Sequence, residues 1–254
     1  HTAATREALY FMEPVTGHTI PDFRPALAQG IPALQAKARS LGTPYGNAMA
    51  RSMDAVLKLA SRYRALAETK RRDSTDELER FCLDQIIESL SVVPESGAKT
   101  LAQAAQFFTL LWETMVIEQA PNPYAFSVGN LDRVLAPYWD ETDTPREEAV
   151  ELLRHLLCFF QVGDRCWAIS QNVLMGGRDI DGKDMTLPMT RVILDAFFES
   201  NDPQPAFSIK LHQRTPDELY ADIGRFFFTP GHSTPSLFND DVLFELLRRQ
   251  GVKD

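Results

Sequence analysis

Residues 206–212 read Ala206-Phe207-Ser208-Ile209-Lys210-Leu211-His212, and this stretch decides the fold class. Large apolar and polar residues alternate along it, which predicts a β-strand with one apolar face and one polar face. The apolar set is Phe207, Ile209 and Leu211, and the polar set is Ser208, Lys210 and His212.

A second strand is predicted over Ala168–Met175. A helical pattern over Met189–Glu199 lies between the two strands, and another over Glu218–Phe228 follows them. Strands alternating with helices favour a parallel α/β arrangement. A parallel sheet is normally covered on both faces or closed into a barrel. The polar face of the 206–212 strand therefore points into a packed layer or into an enclosed cavity, and the sequence alone slightly favours packing.

The first half of the chain has the periodicity of helices. Apolar residues recur at helical spacing from Thr43 to about Lys70 and again from Leu78 to Leu90. Thr100 opens a capping-box pattern before a strongly apolar helix, while Thr144-Pro145 and Thr215-Pro216 place a hydroxyl and a proline at two further helix starts. Since strands appear only later in the chain, the sheet looks unfinished, and the chain is not expected to be an independently stable domain.

Composition narrows the function classes. The chain has 254 residues, 44% of them hydrophobic and 24% charged, as in an ordinary globular protein. A net charge of −9 argues against a nucleic-acid partner, and no apolar run reaches the roughly 18 residues of a membrane span. Cys82 and Cys158 lie among large apolar residues and are predicted to be buried; with Cys166 they make an odd count without Cys-x-x-Cys spacing, which fits a reducing cytoplasm.

Local motifs add no chemistry. Residues 176–184 carry carboxylates at calcium-loop-like spacing but lack the glycine and the glutamate that such a loop needs. The five histidines show no zinc-ligand spacing, so no metal is expected. The sequence has no nucleophile elbow, phosphate loop or dinucleotide fingerprint.

Five segments, in this order, together resemble the middle of a glycyl radical enzyme of the pyruvate formate-lyase family, in its glycerol dehydratase-like branch. They are residues 17–23 (GHTIPDF), 126–132 (FSVGNLD), 170–177 (SQNVLMGG), 204–212 (QPAFSIKLH) and 235–241 (PSLFNDD). The resemblance implies an α/β fold that is part of a ten-stranded α/β barrel, helix-rich in its first half with strands in its second half. The whole chain, 1–254, would be a partial domain, with a mainly helical shell over 1–165 and barrel strands with crossover helices over 166–254.

The resemblance also implies substrate-binding residues. His18 matches the position where glycerol-type dehydratases present a histidine to a substrate hydroxyl. Ala125 matches the position where those enzymes have serine and pyruvate formate-lyase has alanine, and Tyr124 flanks it in an apolar wall. Asn130 departs from the arginine usual in the family. The radical cysteine and glycine find no match in these residues, so no catalytic residue is expected in this chain and the isolated chain should be inactive.

The implied activity is that of a glycyl radical lyase cleaving a C–O or C–C bond of a small organic substrate, with a dehydratase favoured. Alternatives are a pyruvate formate-lyase-like C-acetyltransferase or an arylacetate decarboxylase, or, in another class, a split or decayed relative that acts as a scaffold or binding protein. No tightly bound cofactor is implied; the glycyl radical would come from an activating enzyme that uses S-adenosylmethionine and an iron–sulfur cluster. The full-length enzyme would be a cytoplasmic homodimer without a nucleic-acid or membrane partner.

Overall fold

The computed structural model describes residues 20–118, 127–163 and 171–252. Within these ranges, five helices precede the first strand: α1 Arg24–Gln29, α2 Ile31–Arg39, α3 Pro44–Asp73, α4 Glu77–Val92 and α5 Leu101–Glu118. The later part of the chain alternates strands and helices. Its elements are β1 Gly129–Asn130, α6 Leu131–Leu135, a 3₁₀ turn Ala136–Tyr138, α7 Arg146–Gly163, β2 Asn172–Gly176, α8 Pro188–Ser200, β3 Ala206–Leu211, α9 Asp217–Phe228, β4 Ser236–Asn239 and α10 Asp240–Arg249.

Of the threonine capping signals, those of Thr43 and Thr100 lie at helix starts where the hydroxyl accepts a backbone hydrogen bond, and that of Thr215 does not. The Thr43 side chain accepts a hydrogen bond from the Gly46 amide at 3.0 Å and begins α3, and Thr100 accepts from the Gln103 amide at 3.3 Å before α5. Thr215 was predicted to cap α9, but its hydroxyl accepts from the His212 amide at 2.8 Å instead. The turn after β3 therefore uses this hydroxyl, and the first turn of α9 receives no side-chain cap from its N-cap residue.

The four strands form one parallel sheet in the order β1-β2-β3-β4. The predicted strand over 206–212 is confirmed at Ala206–Leu211, and the earlier one is confirmed at Asn172–Gly176 within the described residues. Sequence periodicity missed β1 and β4, which have two and four residues. Strands this short hold too few alternating positions to give a pattern; they exist because a parallel neighbour supplies their hydrogen bonds.

A single hydrophobic core joins the helices to one side of the sheet. On the helical side, Trp112 and Phe108 both contact Phe160 edge-on, with ring centroids 5.0 and 6.3 Å apart. On the sheet side, Phe197 of α8 stacks on Phe207 of β3 at 3.8 Å. The first half of the chain thus supports the sheet through α7 and α8.

Two cysteines correct a prediction. Cys82 and Cys158 were expected to be buried, yet both are exposed free thiols. Each follows or precedes a buried leucine, Leu83 on α4 and Leu157 on α7. One residue along a helix turns the side chain by about 100°, so an apolar neighbour in sequence does not place a residue on the buried side.

Candidate functional site

The sheet has two unlike faces. The helix-covered face, defined by Val173, Met175, Phe207 and Ile209, is almost completely buried, with at most 3% of any of these residues exposed. Paired residues of neighbouring strands point to the same face. The helix-covered face is therefore a continuous layer across β2 and β3, as the apolar alternation predicts.

The opposite side, here called the polar face, carries two rows of residues across the sheet. The pairing of strands aligns Asn130, Leu174, Ser208 and Ser236 in one row and Gly176, Lys210 and Phe238 in the next. Asn130, Leu174 and Lys210 are only partly buried, while Ser208 is buried. Of the two options left open by the sequence, packing holds for Ser208, and the partly exposed members leave part of this face uncovered.

A buried carboxylate ties the end of β2 to two other elements. Asp132 of α6 is fully buried, and its Oδ2 accepts hydrogen bonds from the Gly176 amide at 2.9 Å and from the Thr190 hydroxyl at 2.7 Å. Burial raises the pKa of the Asp132 carboxyl, and these hydrogen bonds together with Arg133 partly oppose the rise. Asp132 thus joins α6, β2 and α8 at the carboxyl end of the sheet.

A second buried carboxylate holds the start of α10. Asp240 is 1% exposed, accepts from the Arg178 amide at 3.0 Å and lies 3.7 Å from the Lys210 ammonium. Burial lowers the pKa of Lys210, and the nearby Asp240 partly restores it. Gly177, at φ +80°, leaves room for the Asp240 carboxylate, which a Cβ at that position would contact. Asp240 therefore fixes where the chain enters α10.

The turn after β3 contains a histidine that is used structurally. His212 is 4% exposed, its Nε2 lies 2.8 Å from Asp184 Oδ1, and its Nδ1 accepts from the Arg214 amide at 3.3 Å. With Nδ1 an acceptor, Nε2 carries the proton and donates it to Asp184. Both ring nitrogens are committed to the turn, which leaves this histidine no free position for a substrate.

A cavity of about 240 Å³ lies between the segment 20–24 and the segment 128–134. Ile20 closes one side: a Cβ built on Gly129, which has φ +68°, would lie 2.8 Å from Ile20 Cγ2. Asn130 and Arg133 line the opposite side with polar groups. The segment that begins at Ile20 therefore lies against β1, the first strand of the sheet.

Comparison with known proteins identifies the family. The sequence matches the profile of the family described as "Pyruvate formate lyase-like" over residues 3–254. The chain belongs to the pyruvate formate lyase-like family. It is 28% identical over 225 residues to trans-4-hydroxy-L-proline dehydratase of Clostridioides difficile, covering 80% of this chain, and 25% identical over 230 residues to isethionate sulfite-lyase of Nitratidesulfovibrio vulgaris, covering 82% of it.

A solved structure shares the fold. The structure reported for 1,2-propanediol dehydration in Roseburia inulinivorans superimposes with a TM-score of 0.83 at 24% identity, covering 96% of this chain and 34% of that one. The expected fold class is confirmed: a helix-rich first part and part of the α/β barrel of glycyl radical enzymes. The chain spans 28% of the length of the hydroxyproline dehydratase and 27% of the length of the isethionate sulfite-lyase.

The substrate-binding residues predicted from the resemblance, His18, Tyr124 and Ala125, lie outside the described residues. Asn130, noted only as a departure from the family, lies in the first row of the polar face. Sequence reasoning missed Arg133 and Asp240; for Asp240 the only signal was its place in the 235–241 segment.

Within residues 20–118, 127–163 and 171–252, no group of three or more His, Cys, Asp and Glu side chains is arranged to hold a metal ion. No helix in these ranges is both long enough and apolar enough to cross a membrane.

Proposed function

We propose that the complete protein containing this chain is a glycyl radical lyase that removes water, or another small group, from a small organic substrate. The observation that supports it most is the family match over residues 3–254, joined to relatives named as a dehydratase and a sulfite-lyase. This chain would supply the helical shell over 1–165, part of the barrel over 166–254 and one wall of the substrate pocket.

The proposed chemistry explains the two faces of the sheet. A carbon-centred radical has to be kept from water, oxygen and wrong hydrogen donors, so its site has to be enclosed. The helix-covered face, with Phe207 and Ile209 buried, closes one side of the sheet across β2 and β3. The polar face, with Asn130 and Lys210 partly exposed, is the side on which a substrate would lie.

The chemical steps require groups beyond this chain. The radical-bearing glycine and the cysteine that takes a hydrogen atom from the substrate belong to parts of the enzyme that do not match these residues. A separate activating enzyme, using S-adenosylmethionine and an iron–sulfur cluster, would generate the radical. We also propose that the full-length enzyme is a homodimer and works in the cytoplasm.

His18 is proposed to face the substrate. It lies two residues before Ile20, which packs on Gly129, so an extended chain keeps it within about 7 Å of that contact. By the same measure Ala125, four residues before Gly129, stays within about 14 Å. The contact between Ile20 and Gly129 thus limits the separation of His18 and Ala125 to about 21 Å. We propose that the two share one pocket, where a histidine can exchange a proton with a departing hydroxyl.

Ala125 is proposed to set the substrate class. An alanine offers only apolar contact, so a polyol hydroxyl placed against it would remain unpaired at a cost of about 1–3 kcal/mol. On the transition state this penalty corresponds to a loss of roughly five- to more than one hundredfold in specificity. We therefore expect a substrate with fewer hydroxyl groups than glycerol.

One experiment tests both the proposed lyase activity and the proposed role of Ala125. The full-length protein is activated anaerobically, the glycyl radical is quantified by electron paramagnetic resonance, and turnover is measured with glycerol, propane-1,2-diol, amino-alcohols and arylacetates. A radical signal with elimination activity is expected, and absence of the radical would favour a scaffold or binding protein. Acetyl transfer from pyruvate or decarboxylation of an arylacetate would replace the dehydratase assignment, and efficient glycerol turnover would contradict the apolar-wall argument at Ala125.

A further inference from the structure

Helix α9 carries a second apolar stripe, which the described chain leaves exposed. Tyr220, Phe227 and Phe228 are 47%, 51% and 88% exposed. Together with Gly224 they recur at intervals of three and four residues, so they share one side of the helix. This side is turned by roughly 120° from the buried stripe, which consists of Leu219, Ile223 and Phe226.

The neighbouring helix α8 shows what a solvated side looks like in this fold. Its exposed residues Arg191 and Glu199 are charged, and Arg191 forms an ion pair with Asp222 at 2.7 Å. An amphipathic helix normally turns such residues to water and its apolar residues to a neighbour. The exposed aromatic stripe of α9 departs from this pattern, which indicates that the stripe packs against a further element.

A glycine occupies the middle of the stripe. Gly224 lies inside a helix, where glycine is less favourable than alanine. A Cβ built at this position would meet only the ring of Phe228, at 3.9 Å, which is an ordinary contact. Alanine would therefore fit the described chain. The missing side chain is explained if another backbone approaches α9 closely at Gly224.

We propose that α9 is the contact between two copies of this protein and that it crosses its counterpart antiparallel at Gly224. This inference rests on the proposed function, which includes a homodimer, and names the surface that forms it. In a twofold interface the same patch serves both copies, so every contact occurs twice. The stripe suits such an interface because it has an aromatic residue four positions before Gly224 and another four positions after it.

The spacing along the helix brings these aromatic residues together. A helix rises 1.5 Å per residue, so Tyr220 and Phe228 lie about 6 Å on either side of Gly224. In the antiparallel crossing, Tyr220 therefore stands level with the partner's Phe228, and aromatic pairs of this kind are stabilising. The same arrangement sets the positive amino end of each helix beside the negative carboxyl end of the other.

The exposed area of the stripe is in the range that a dimer core needs. A phenylalanine or tyrosine buries about 150–250 Å² when it is fully covered. At their present exposures, the three rings can still remove roughly 300–450 Å² per copy from water. A stable interface buries about 800 Å² per partner. The stripe thus supplies about half of it, in the way that a few central aromatic residues dominate many interfaces.

Sedimentation of the radical-free full-length protein over a range of concentrations tests the proposal. We expect a dimer, and we expect Phe228→Glu to raise the dimer dissociation constant at least about 100-fold, because the interface loses two aromatic anchors and gains two charges. Phe81→Glu is the matched control. Phe81 is 61% exposed on α4 and outside the stripe, so its replacement should leave the dissociation constant unchanged.

A second variant separates association from folding. Gly224→Ala adds a methyl group for which the described chain has room and which favours the helix, so the dissociated monomer should unfold at the wild-type temperature or above it. At the crossing, two added methyl groups keep the helices apart, and we expect the dissociation constant to rise about tenfold. This variant remains decisive if Phe228→Glu fails to fold.

The proposal is overturned if the full-length protein is a monomer or if Gly224→Ala leaves the dissociation constant of its dimer unchanged. It also fails if Phe228→Glu lowers the unfolding temperature at every protein concentration without weakening the dimer, since the stripe would then pack on another part of the same polypeptide. A monomer that forms the radical and turns over substrate would keep the lyase and reject the interface. A dimer that depends on Phe228 but forms no radical would do the reverse.

Discussion

The helix-covered face and the polar face of the four-stranded sheet differ in residue type, in burial and in the packing that covers them. Val173, Met175, Phe207 and Ile209 are buried to 97% or more on the first face, where Phe207 stacks on Phe197. On the second face, Asn130 and Lys210 remain partly exposed, and the structure describes no helix stacked on them in the way that α8 covers Phe207. The helix-covered face stabilises the fold, and we propose that the polar face lies toward the substrate, so substitutions on the two faces should affect different measurements.

The largest effect is expected for His18, which we propose lies in the substrate pocket. In the complete, activated enzyme, His18→Ala should lower turnover by about 10²–10⁴-fold, the usual contribution of a general acid or base, while glycyl radical formation stays intact. Turnover and the electron paramagnetic resonance signal are measured on the same samples. His155→Ala, which alters an exposed histidine on α7, should leave both unchanged; an unchanged turnover in His18→Ala would remove this residue from the pocket.

Substitutions on the helix-covered face should lower the stability of the fold. Phe207→Ala is expected to lower the free energy of unfolding by about 3–5 kcal/mol, because it leaves a cavity beneath Phe197. Leu174→Ala, one strand away on the polar face, should cost clearly less because Leu174 is only partly buried. Denaturant unfolding of the complete protein measures both. Equal costs would mean that the polar face is a second packed core and not the wall of a pocket.

A pH-dependent effect on stability is expected at Asp132, the buried carboxylate that joins α6, β2 and α8. Burial raises the pKa of Asp132 above that of the unfolded chain, so the native state retains this proton to higher pH. The associated stability is present below the unfolded pKa and is lost as the pH rises through the native pKa. Between the acidic range and neutrality, Asp132→Asn should therefore gain stability relative to wild type, by about 1.4 kcal/mol for each unit of the pKa rise.

Asp140→Asn is the control for this prediction, because it should change in the opposite direction. Asp140 is exposed, and its hydrogen bonds from Thr142 lower its pKa. Its contribution to stability is present above the unfolded pKa and is lost on acidification. The free energy of unfolding of Asp140→Asn should therefore decrease relative to wild type as the pH rises. Denaturant unfolding at a series of pH values gives both differences, and parallel trends in the two variants would contradict the assignment.

The smallest effect concerns the edge of the sheet. All four residues of β4 are exposed, including Leu237, and an unpaired strand edge promotes association. The isolated 254-residue chain should therefore associate and unfold over a broad temperature range. Each cross-strand pair is worth only about 0.2–1 kcal/mol, so Leu237→Lys should shift sedimentation toward the monomer without restoring a sharp transition. A sharply melting wild-type monomer would show that the chain is complete as a folding unit.

The strands show how far sequence periodicity reaches. The alternation in 206–212 predicted β3 because each side chain meets its own environment, apolar Phe207 against α8 and polar Ser208 on the other face. The shortness of β1 and β4 hid them. Thr215 carried a helix-cap signal yet bonds the His212 amide, since a nearer donor was brought within reach by the turn after β3.

The sequence by itself determined the parallel α/β class, the helical first half and, through its ordered motifs, the family, because these depend on periodicity and residue order. Only the tertiary structure decided that Cys82 is exposed, that Asp132 and Asp240 are buried, and that Ile20 meets Gly129 beside Asn130 and Arg133. Burial depends on which distant segments come together. That is a property of packing between elements, and no local pattern of residues encodes it.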